Sequence, residues 1–186
     1  MIGKAILLNG ASSAGKTSIV KLLQENLDEI YLNVSVDGCV SQFLTFYLNK
    51  PEYFGKLEAE IPNFNKTFCR IALAMVETGN NIIIDTVLTG GVDIANFVET
   101  FKEIDVILVG VKCELEVLIK REIERKDRKI GLAARQFDLV HEHGPYDIEV
   151  STTDNNFADC ANRIKEYIIS GEKPKSIKKW AALKLM

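Results

Sequence analysis

The sequence is poor in several residues whose abundance would identify a particular class of protein. Proline occurs at only 4 of 186 positions, and no apolar run reaches the ~18 residues of a membrane span, which excludes a collagen-like, a disordered or a membrane-spanning chain. The 4 cysteines form no C-x-x-C pair, and His141 and His143 belong to no larger cluster of metal-ligating residues. Neither a zinc site nor a disulfide framework is therefore indicated.

The cysteine pattern and the lack of long apolar runs also bear on the cellular location of the protein. Because no disulfide framework is indicated, we expect the cysteines to be reduced thiols of a hydrophobic core. The apolar stretch at residues 5–8 is too short for the core of a signal peptide. A cytoplasmic location is therefore expected.

Basic residues are outnumbered by acidic residues over most of the chain. The net charge is −3, but residues 171–186 contain five lysines and one glutamate and carry +4, so residues 1–170 carry −7. Nucleic-acid binding needs a positive field along the phosphates, so no nucleic-acid partner is expected. We expect one domain over residues 1–170, followed by a solvated basic tail over residues 171–186.

The hydrophobic pattern alternates between short β-branched runs and longer helical periods. Strands are predicted at residues 5–9, 32–36, 82–85, 106–111 and 147–150, and helices at 16–27, 40–48, 64–77, 93–101, 114–126 and 157–169. Strands that alternate with helices are typical of parallel β-α-β units. The sequence therefore predicts an α/β sandwich.

One stretch interrupts this alternation. Residues 49–63 contain Pro51, Gly55 and Pro62, which predict an irregular insertion after the second strand. A substrate flap and a plain surface loop both fit that position.

A phosphate-binding loop follows the first strand. Residues 10–17 read Gly-Ala-Ser-Ser-Ala-Gly-Lys-Thr, which satisfies G-x-x-x-x-G-K-[ST] between a strand and a helix. The glycines let successive N–H groups point at a polyphosphate, and the helix N-terminus adds partial positive charge. We expect Lys16 to reach the β- and γ-phosphates and the Thr17 hydroxyl to bind magnesium. The expected phosphate-binding residues are Gly10, Ala11, Ser12, Ser13, Ala14, Gly15, Lys16, Thr17 and Ser18.

Aspartates follow two other predicted strands. Ligands of open α/β sheets bind beyond the carboxyl ends of the strands, so Asp37 and Asp85 are candidate site residues. Asp85 follows three isoleucines, as a magnesium-binding aspartate does in P-loop proteins. For Asp37, spacing alone leaves two alternatives, an N-cap of the next helix or a general base for an acceptor hydroxyl.

Arginines recur after the fourth strand. Arg121, Arg125 and Arg128 have the spacing of one helical face, and Arg135 follows beyond Gly131. A salt-bridged, exposed helix is one interpretation. The other is a lid over about residues 121–139, hinged at Gly131, that lays Arg125, Arg128 and Arg135 on the transferring phosphoryl group.

Several segments, in order, carry a family resemblance. They are the Ser-Ser-Ala-Gly-Lys core of residues 10–17, Val36-Asp37, residues 82–85 through 88–91, residues 109–113, Arg121-Glu122, Asp127-Arg128, and residues 140–142 through 146–150. Together they resemble the chloramphenicol phosphotransferase family over most of residues 1–165. The basic C-terminal end and the insertion after Asn49 lie outside the resemblance.

The resemblance implies a P-loop kinase fold with a five-stranded parallel sheet of order 2-3-1-4-5. It implies transfer of the ATP γ-phosphoryl group to a small-molecule hydroxyl, which in the namesake activity is the primary alcohol of chloramphenicol. It also implies that Asp37 accepts the hydroxyl proton. ATP and Mg²⁺ are the expected cofactors, with Thr17 and Asp85 on the metal and Lys16 on the phosphates.

The chain departs from the family pattern in three places. Asp85-Thr86 replaces two consecutive acids, and Ser151-Thr152 replaces Asp-Thr near the fifth strand. The segment between Asp37 and Phe68, which would shape the acceptor pocket, resembles the family least. The resemblance therefore supports phosphoryl transfer by this chain more strongly than it supports chloramphenicol as the acceptor. Two alternatives remain open, a nucleotide-dependent switch or regulatory ATPase, and a kinase of the same fold for another metabolite, a nucleoside or a protein hydroxyl. The sequence leaves the oligomeric state open.

Overall fold

A parallel sheet forms the centre of the protein. The computed structural model describes residues 1–125 and 130–183. The strands are β1 (Ala5–Asn9), β2 (Tyr31–Ser35), β3 (Asn81–Thr86), β4 (Val106–Lys112) and β5 (Ile148–Ser151). All pairs are parallel and the order is β2-β3-β1-β4-β5, which confirms the order expected from the resemblance.

Helices cover both faces of the sheet. Within the described residues they are α1 (Lys16–Asn26), α2 (Val36–Leu48), α3 (Phe54–Glu77), α4 (Gly91–Phe101), α5 (Leu115–Arg125), α6 (Leu132–Phe137), α7 (Phe157–Ser170) and α8 (Ser176–Leu183). None of these helices is both long enough and apolar enough to cross a bilayer. The α/β sandwich predicted from the alternating pattern is confirmed.

The central strand shows how the sequence positions the core. All five residues of β1 are buried, and alternate side chains enter different layers because strand side chains point to opposite faces. Ile6 and Leu8 pack with Ile19 of α1 and Ile164 of α7. Leu7 packs in a second cluster with helices α3 and α4. Burial on both faces holds the carboxyl end of β1 rigidly, and the phosphate loop begins there.

The prediction of an irregular insertion at residues 49–63 is wrong. A short 3-10 helix, Pro51–Tyr53, leads directly into α3, which contains Pro62 in its interior. The second half of α3 buries Phe68, Cys69, Ala72 and Val76. This packing outweighs the local preference of proline to end a helix.

The expectation of a solvated tail is also wrong for residues 176–183. These residues form α8, which packs on α4 and β4 and buries Ile177 and Trp180. The carboxylate of Asp147 accepts hydrogen bonds from the backbone N–H groups of Lys175 (2.7 Å), Ser176 (3.0 Å) and Leu108 (2.9 Å). One side chain therefore joins the start of α8 to the sheet, and the basic lysines of this segment lie on a docked helix.

We expect Trp180→Ala to lower the free energy of unfolding by about 3–5 kcal/mol, because it leaves a large cavity. Trp180 is only 1% exposed, and its indole N–H donates to the carbonyl of Pro145 at 2.9 Å. Urea unfolding followed by circular dichroism measures the effect. Leu183→Ala on the same helix is the control, since Leu183 is 53% exposed. Similar losses for the two variants would contradict the docking of α8.

Candidate active site

The loop between β1 and α1 has the backbone of a phosphate cradle. Gly15 (φ 85°) and Ser13 (φ 65°) adopt left-handed conformations. Gly10 has no room for a side chain, since a Cβ there would lie 2.4 Å from the carbonyl oxygen of Val111. The hydroxyl oxygens of Ser12 and Ser13 are buried without a hydrogen-bond partner in the described part of the chain. Orphaned buried hydroxyls beside a row of loop N–H groups fit a polyphosphate ligand.

Three ionisable or polar side chains meet at the mouth of this loop. The ammonium group of Lys16 donates to the carbonyls of Gly10 (2.8 Å) and Ala11 (3.1 Å) and lies 3.9 Å from Asp85 Oδ1. The Thr17 hydroxyl donates to Asp85 Oδ2 at 2.7 Å. A hydroxyl and a carboxylate side by side form the oxygen donor set that Mg²⁺ prefers. The two residues predicted to bind the metal are thus adjacent in the fold.

One cavity of about 310 Å³ connects the loop with the rest of the predicted site. Its lining includes Lys16, Thr17, Asp85 and Asp37. The structure therefore brings the predicted phosphate loop, metal ligands and candidate base into a single space.

Asp37 does not cap α2. The helix begins at Val36, earlier than predicted, and its N-cap is Ser35, whose hydroxyl oxygen accepts from the N–H of Gly38 at 3.0 Å. Of the two alternatives left by spacing, the N-cap interpretation is wrong. Asp37 instead lies in the first turn of α2 and lines the cavity.

Another part of the cavity lining lies outside the phosphate loop, and its individual residues were not predicted from the sequence. We call it the acceptor wall, and it consists of Asn65, Phe68, Cys69, Leu88, Asp93 and Phe97. Asn65 and Asp93 meet there, with the amide nitrogen donating to Asp93 Oδ1 at 2.8 Å. Burial and the neighbouring Asp93 raise the pKa of the Cys69 thiol to about 11, so it stays protonated at neutral pH. No local signal marks these residues, because they belong to α3, α4 and the loop before α4, and they converge only when these segments pack together.

The predicted lid arginines have different surroundings. Arg125 ends α5 and lines the cavity. Arg135 is exposed on α6, where its Nε donates to the carbonyl of Gly131 at 3.3 Å, and the structure does not bring it to the cavity lining. Arg128 lies outside the described residues.

Arg121 is an anchor at the other end of the phosphate loop. Its guanidinium donates to the hydroxyl of Thr152 (3.2 Å) and the side-chain oxygen of Asn155 (2.8 Å), and it lies 5.2 Å from the centre of the Phe157 ring. The Thr152 hydroxyl in turn donates to the carbonyl of Ala14 at 2.8 Å. The interpretation of a purely exposed arginine face is therefore wrong for Arg121, which ties α5 and the end of β5 to the loop.

Comparison with known proteins identifies the family. The model of the chloramphenicol phosphotransferase-like proteins matches residues 3–168. The chain belongs to this family. It is similar to "Putative O-phosphotransferase Rv2636" of Mycobacterium tuberculosis strain H37Rv, with 28% identity over 183 residues that cover 88% of this chain and 81% of the relative. It is similar to the same extent to "Putative O-phosphotransferase MT2714" of Mycobacterium tuberculosis strain CDC 1551.

Solved structures show the same fold at low identity. Shikimate kinase from Acinetobacter baumannii, in complex with shikimate, has a TM-score of 0.67 at 20% identity, covering 91% of this chain and 95% of that chain. The APS kinase CysC of Mycobacterium tuberculosis, in complex with AMPPNP and APS, has a TM-score of 0.66 at 16% identity, covering 90% and 98%. With its family and its phosphate loop, this chloramphenicol phosphotransferase-like protein is a P-loop phosphotransferase, that is, a kinase.

Asn9 is the polar residue at the carboxyl end of β1, and its contacts could not be predicted from the sequence. It ends β1, is fully buried, and donates to the carbonyl of Val140 (2.8 Å) and the hydroxyl of Tyr146 (2.9 Å). Its own side-chain oxygen accepts from the N–H of Leu88 at 2.8 Å. Burial raises the pKa of Tyr146 to about 12, so this network keeps its phenol proton at neutral pH. Asn9 thereby holds Leu88 of the acceptor wall against the end of β1.

Glu122 fixes the start of α6 in this family member. It is 1% exposed, and its carboxylate accepts from the N–H groups of Gly131 (2.7 Å) and Ala133 (2.9 Å). Gly131 has φ 90° and forms the N-cap of α6. From the same helix, Gln136 accepts a hydrogen bond from the N–H of Ser12 at 2.8 Å. A buried carboxylate thus positions a helix that contacts the phosphate loop directly.

We expect Glu122→Gln to lower the free energy of unfolding by about 1–3 kcal/mol. Glutamine has one acceptor oxygen, so its amide N–H₂ would face a backbone N–H in a buried space. Urea unfolding is the measurement, and Glu124→Gln on the exposed side of α5 is the matched control, expected within about 0.5 kcal/mol of the wild type. If the control lost as much stability as Glu122→Gln, the capping role would be refuted.

Proposed function

We propose that this protein transfers the γ-phosphoryl group of ATP to a hydroxyl group of a small molecule, with Mg²⁺ as the cofactor. The observation that supports this proposal most is the shared cavity. Lys16, the hydrogen-bonded pair of Thr17 and Asp85, and Asp37 all line it. Phosphoryl transfer is catalysed chiefly by positioning and charge neutralisation, and these residues supply both.

Each residue has a defined part in the proposed reaction. The N–H groups of residues 10–18 and the ammonium of Lys16 hold the β- and γ-phosphates. The acceptor oxygen forms a bond to the γ-phosphorus, the bond from that phosphorus to the β–γ bridging oxygen breaks, and ADP leaves. Asp37 orients the acceptor hydroxyl and takes its proton.

The oxygen atoms of Thr17 and Asp85 are the groups that would hold Mg²⁺, which neutralises charge on the β- and γ-phosphate oxygens. Arg125 is proposed to neutralise charge on the transferring phosphoryl group from the side of α5. The same role for Arg135, whose side chain is not part of the cavity lining, and for Arg128 stays a prediction. A cytoplasmic location also stays a prediction.

Chloramphenicol is the first acceptor to test, because the family description names it. The protein is incubated with ATP, Mg²⁺ and a panel of alcohols that includes chloramphenicol, nucleosides and sugars, and each alcohol is examined for a phosphate-sized mass increase. A mass increase that depends on ATP supports the proposal.

A nucleotide-dependent switch or regulatory ATPase is the competing function. ADP release measured with and without each alcohol separates the two, because a switch shows no stimulation by an acceptor. ADP release that no alcohol stimulates, with no phosphorylated product, would refute the proposed transfer.

A further inference from the structure

The acceptor wall is largely apolar, with one paired polar group. Phe68, Leu88 and Phe97 give it an apolar surface, while Asn65 and Asp93 hydrogen-bond to each other across α3 and α4. A hydrocarbon or aromatic body fits the apolar part, because burying it against these side chains removes it from water. The polar pair is therefore the part of the wall that distinguishes one such body from another.

The pairing determines what Asn65 and Asp93 can recognise. The amide nitrogen of Asn65 donates to Asp93 Oδ1, so the pair uses a donor of Asn65 and keeps the second carboxylate oxygen of Asp93 as an acceptor. Asp93 lies in the first turn of α4, where the helix dipole stabilises a negative charge. The wall thus offers a negatively charged hydrogen-bond acceptor, the carboxylate of Asp93. This suits a ligand group that donates hydrogen bonds and carries positive charge.

The charges around the wall strengthen this selection. Among the lining residues that the structure describes, the cations are Lys16, which donates to the loop carbonyls, and Arg125, at the end of α5. Neither belongs to the acceptor wall. Of the described residues with which α3 and α4 line the cavity, none is a cation, so a carboxylate or sulfate on the acceptor would face the negative charge of Asp93. Like charges repel more strongly in a partly buried site.

We propose that the acceptor is an amino alcohol whose protonated amine binds the carboxylate of Asp93, with Asn65 orienting that carboxylate. The apolar body of the acceptor packs on Phe68 and Phe97, and its hydroxyl faces Asp37 and the phosphate loop. This inference rests on the proposed phosphotransferase function and makes Asp93 the residue that determines which alcohols are accepted.

Three acceptors with one skeleton test the inference. They are 2-amino-1-(4-nitrophenyl)propane-1,3-diol, whose amine is protonated at neutral pH, chloramphenicol, which is its neutral dichloroacetamide, and the anionic N-succinyl derivative. For the wild type with ATP and Mg²⁺, we expect kcat/KM to be highest for the amine and lowest for the succinyl derivative. A neutral or anionic acceptor that matches or exceeds the amine overturns the inference.

Three variants test whether Asp93 causes the preference for the protonated amine. Asp93→Asn should lower kcat/KM for the amine by about 10- to 100-fold, mainly through KM, and change that for chloramphenicol by less than about 3-fold. Asp93→Glu should restore most of the preference, and Asp105→Asn, an exposed aspartate outside the cavity, should change nothing. Binding of a fluorescent ATP analogue should be equal in all four proteins, which shows that the variants are folded.

The outcomes separate the two proposals. If Asp93→Asn affects all three acceptors equally, the role of Asp93 is wrong while the transfer reaction stands. If the wild type phosphorylates neither these alcohols nor any alcohol of the wider panel, the proposed function fails, and the inference fails with it.

Discussion

Replacing Lys16 with alanine is expected to lower ATP turnover by on the order of 1,000-fold or more. Lys16 is the first helical residue after the phosphate loop and is almost fully buried, so its charge acts in a site from which water is largely excluded. Its ammonium is held by the carbonyls of Gly10 and Ala11, close to where the β- and γ-phosphates would lie. Turnover is measured as ADP release, with and without an acceptor.

Lys21→Ala is the control for this prediction. Lys21 lies further along the same helix, is exposed and does not line the cavity, so its loss should leave turnover within about 2-fold of the wild type. Circular dichroism establishes that both variants retain the helical content of the wild type. An alanine at position 16 that kept turnover near the wild-type rate would show that phosphate binding does not occur at this loop.

The second large effect is expected for Asp37→Asn. This change should lower phosphorylation of the acceptor by about 100- to 10,000-fold, because asparagine cannot take the hydroxyl proton. Nucleotide binding should be unchanged, since Asp37 is on α2 and the phosphates are expected on the loop after β1. Product formation is measured by mass spectrometry, and nucleotide affinity by titration with a fluorescent ATP analogue.

A matched control for Asp37→Asn is Asp28→Asn. Asp28 is exposed, lies before β2 and does not line the cavity, so both transfer and nucleotide affinity should be preserved. Full activity of Asp37→Asn on its acceptor would mean that another group takes the proton. Loss of nucleotide binding in the same variant would instead place Asp37 on the phosphates.

Much of the sheet could be predicted because its signals are local. The apolar run of residues 5–8 and Asn9 lead directly into the glycine-containing loop, and the observed strand has the predicted bounds, Ala5–Asn9. The other four strands differ from their predicted bounds by one residue at one or both ends. The side chains of β3 and β4 are mostly buried on both faces of the sheet, so their apolar runs are nearly continuous and easy to recognise.

Helices that depend on packing were harder to predict. Gly55 and Pro62 disfavour a helix locally, yet both lie in α3, whose second half is held against α4 by buried side chains. The lysines of residues 171–186 suggested solvation, but Ile177 and Trp180 anchor α8 to the fold. In both segments, distant burial contributes more than the local preference does.

The sequence alone determined the phosphate loop, the polar residues at the carboxyl ends of the strands and, through the resemblance, the order of the sheet. These depend on neighbours along the chain or on a pattern spread over its length. Only the tertiary structure decided that Asp37 lines the cavity instead of capping α2, that Glu122 is buried beneath Gly131, and that Asn65 meets Asp93. These contacts join residues of different elements, and such residues meet only after the helices have packed on the sheet.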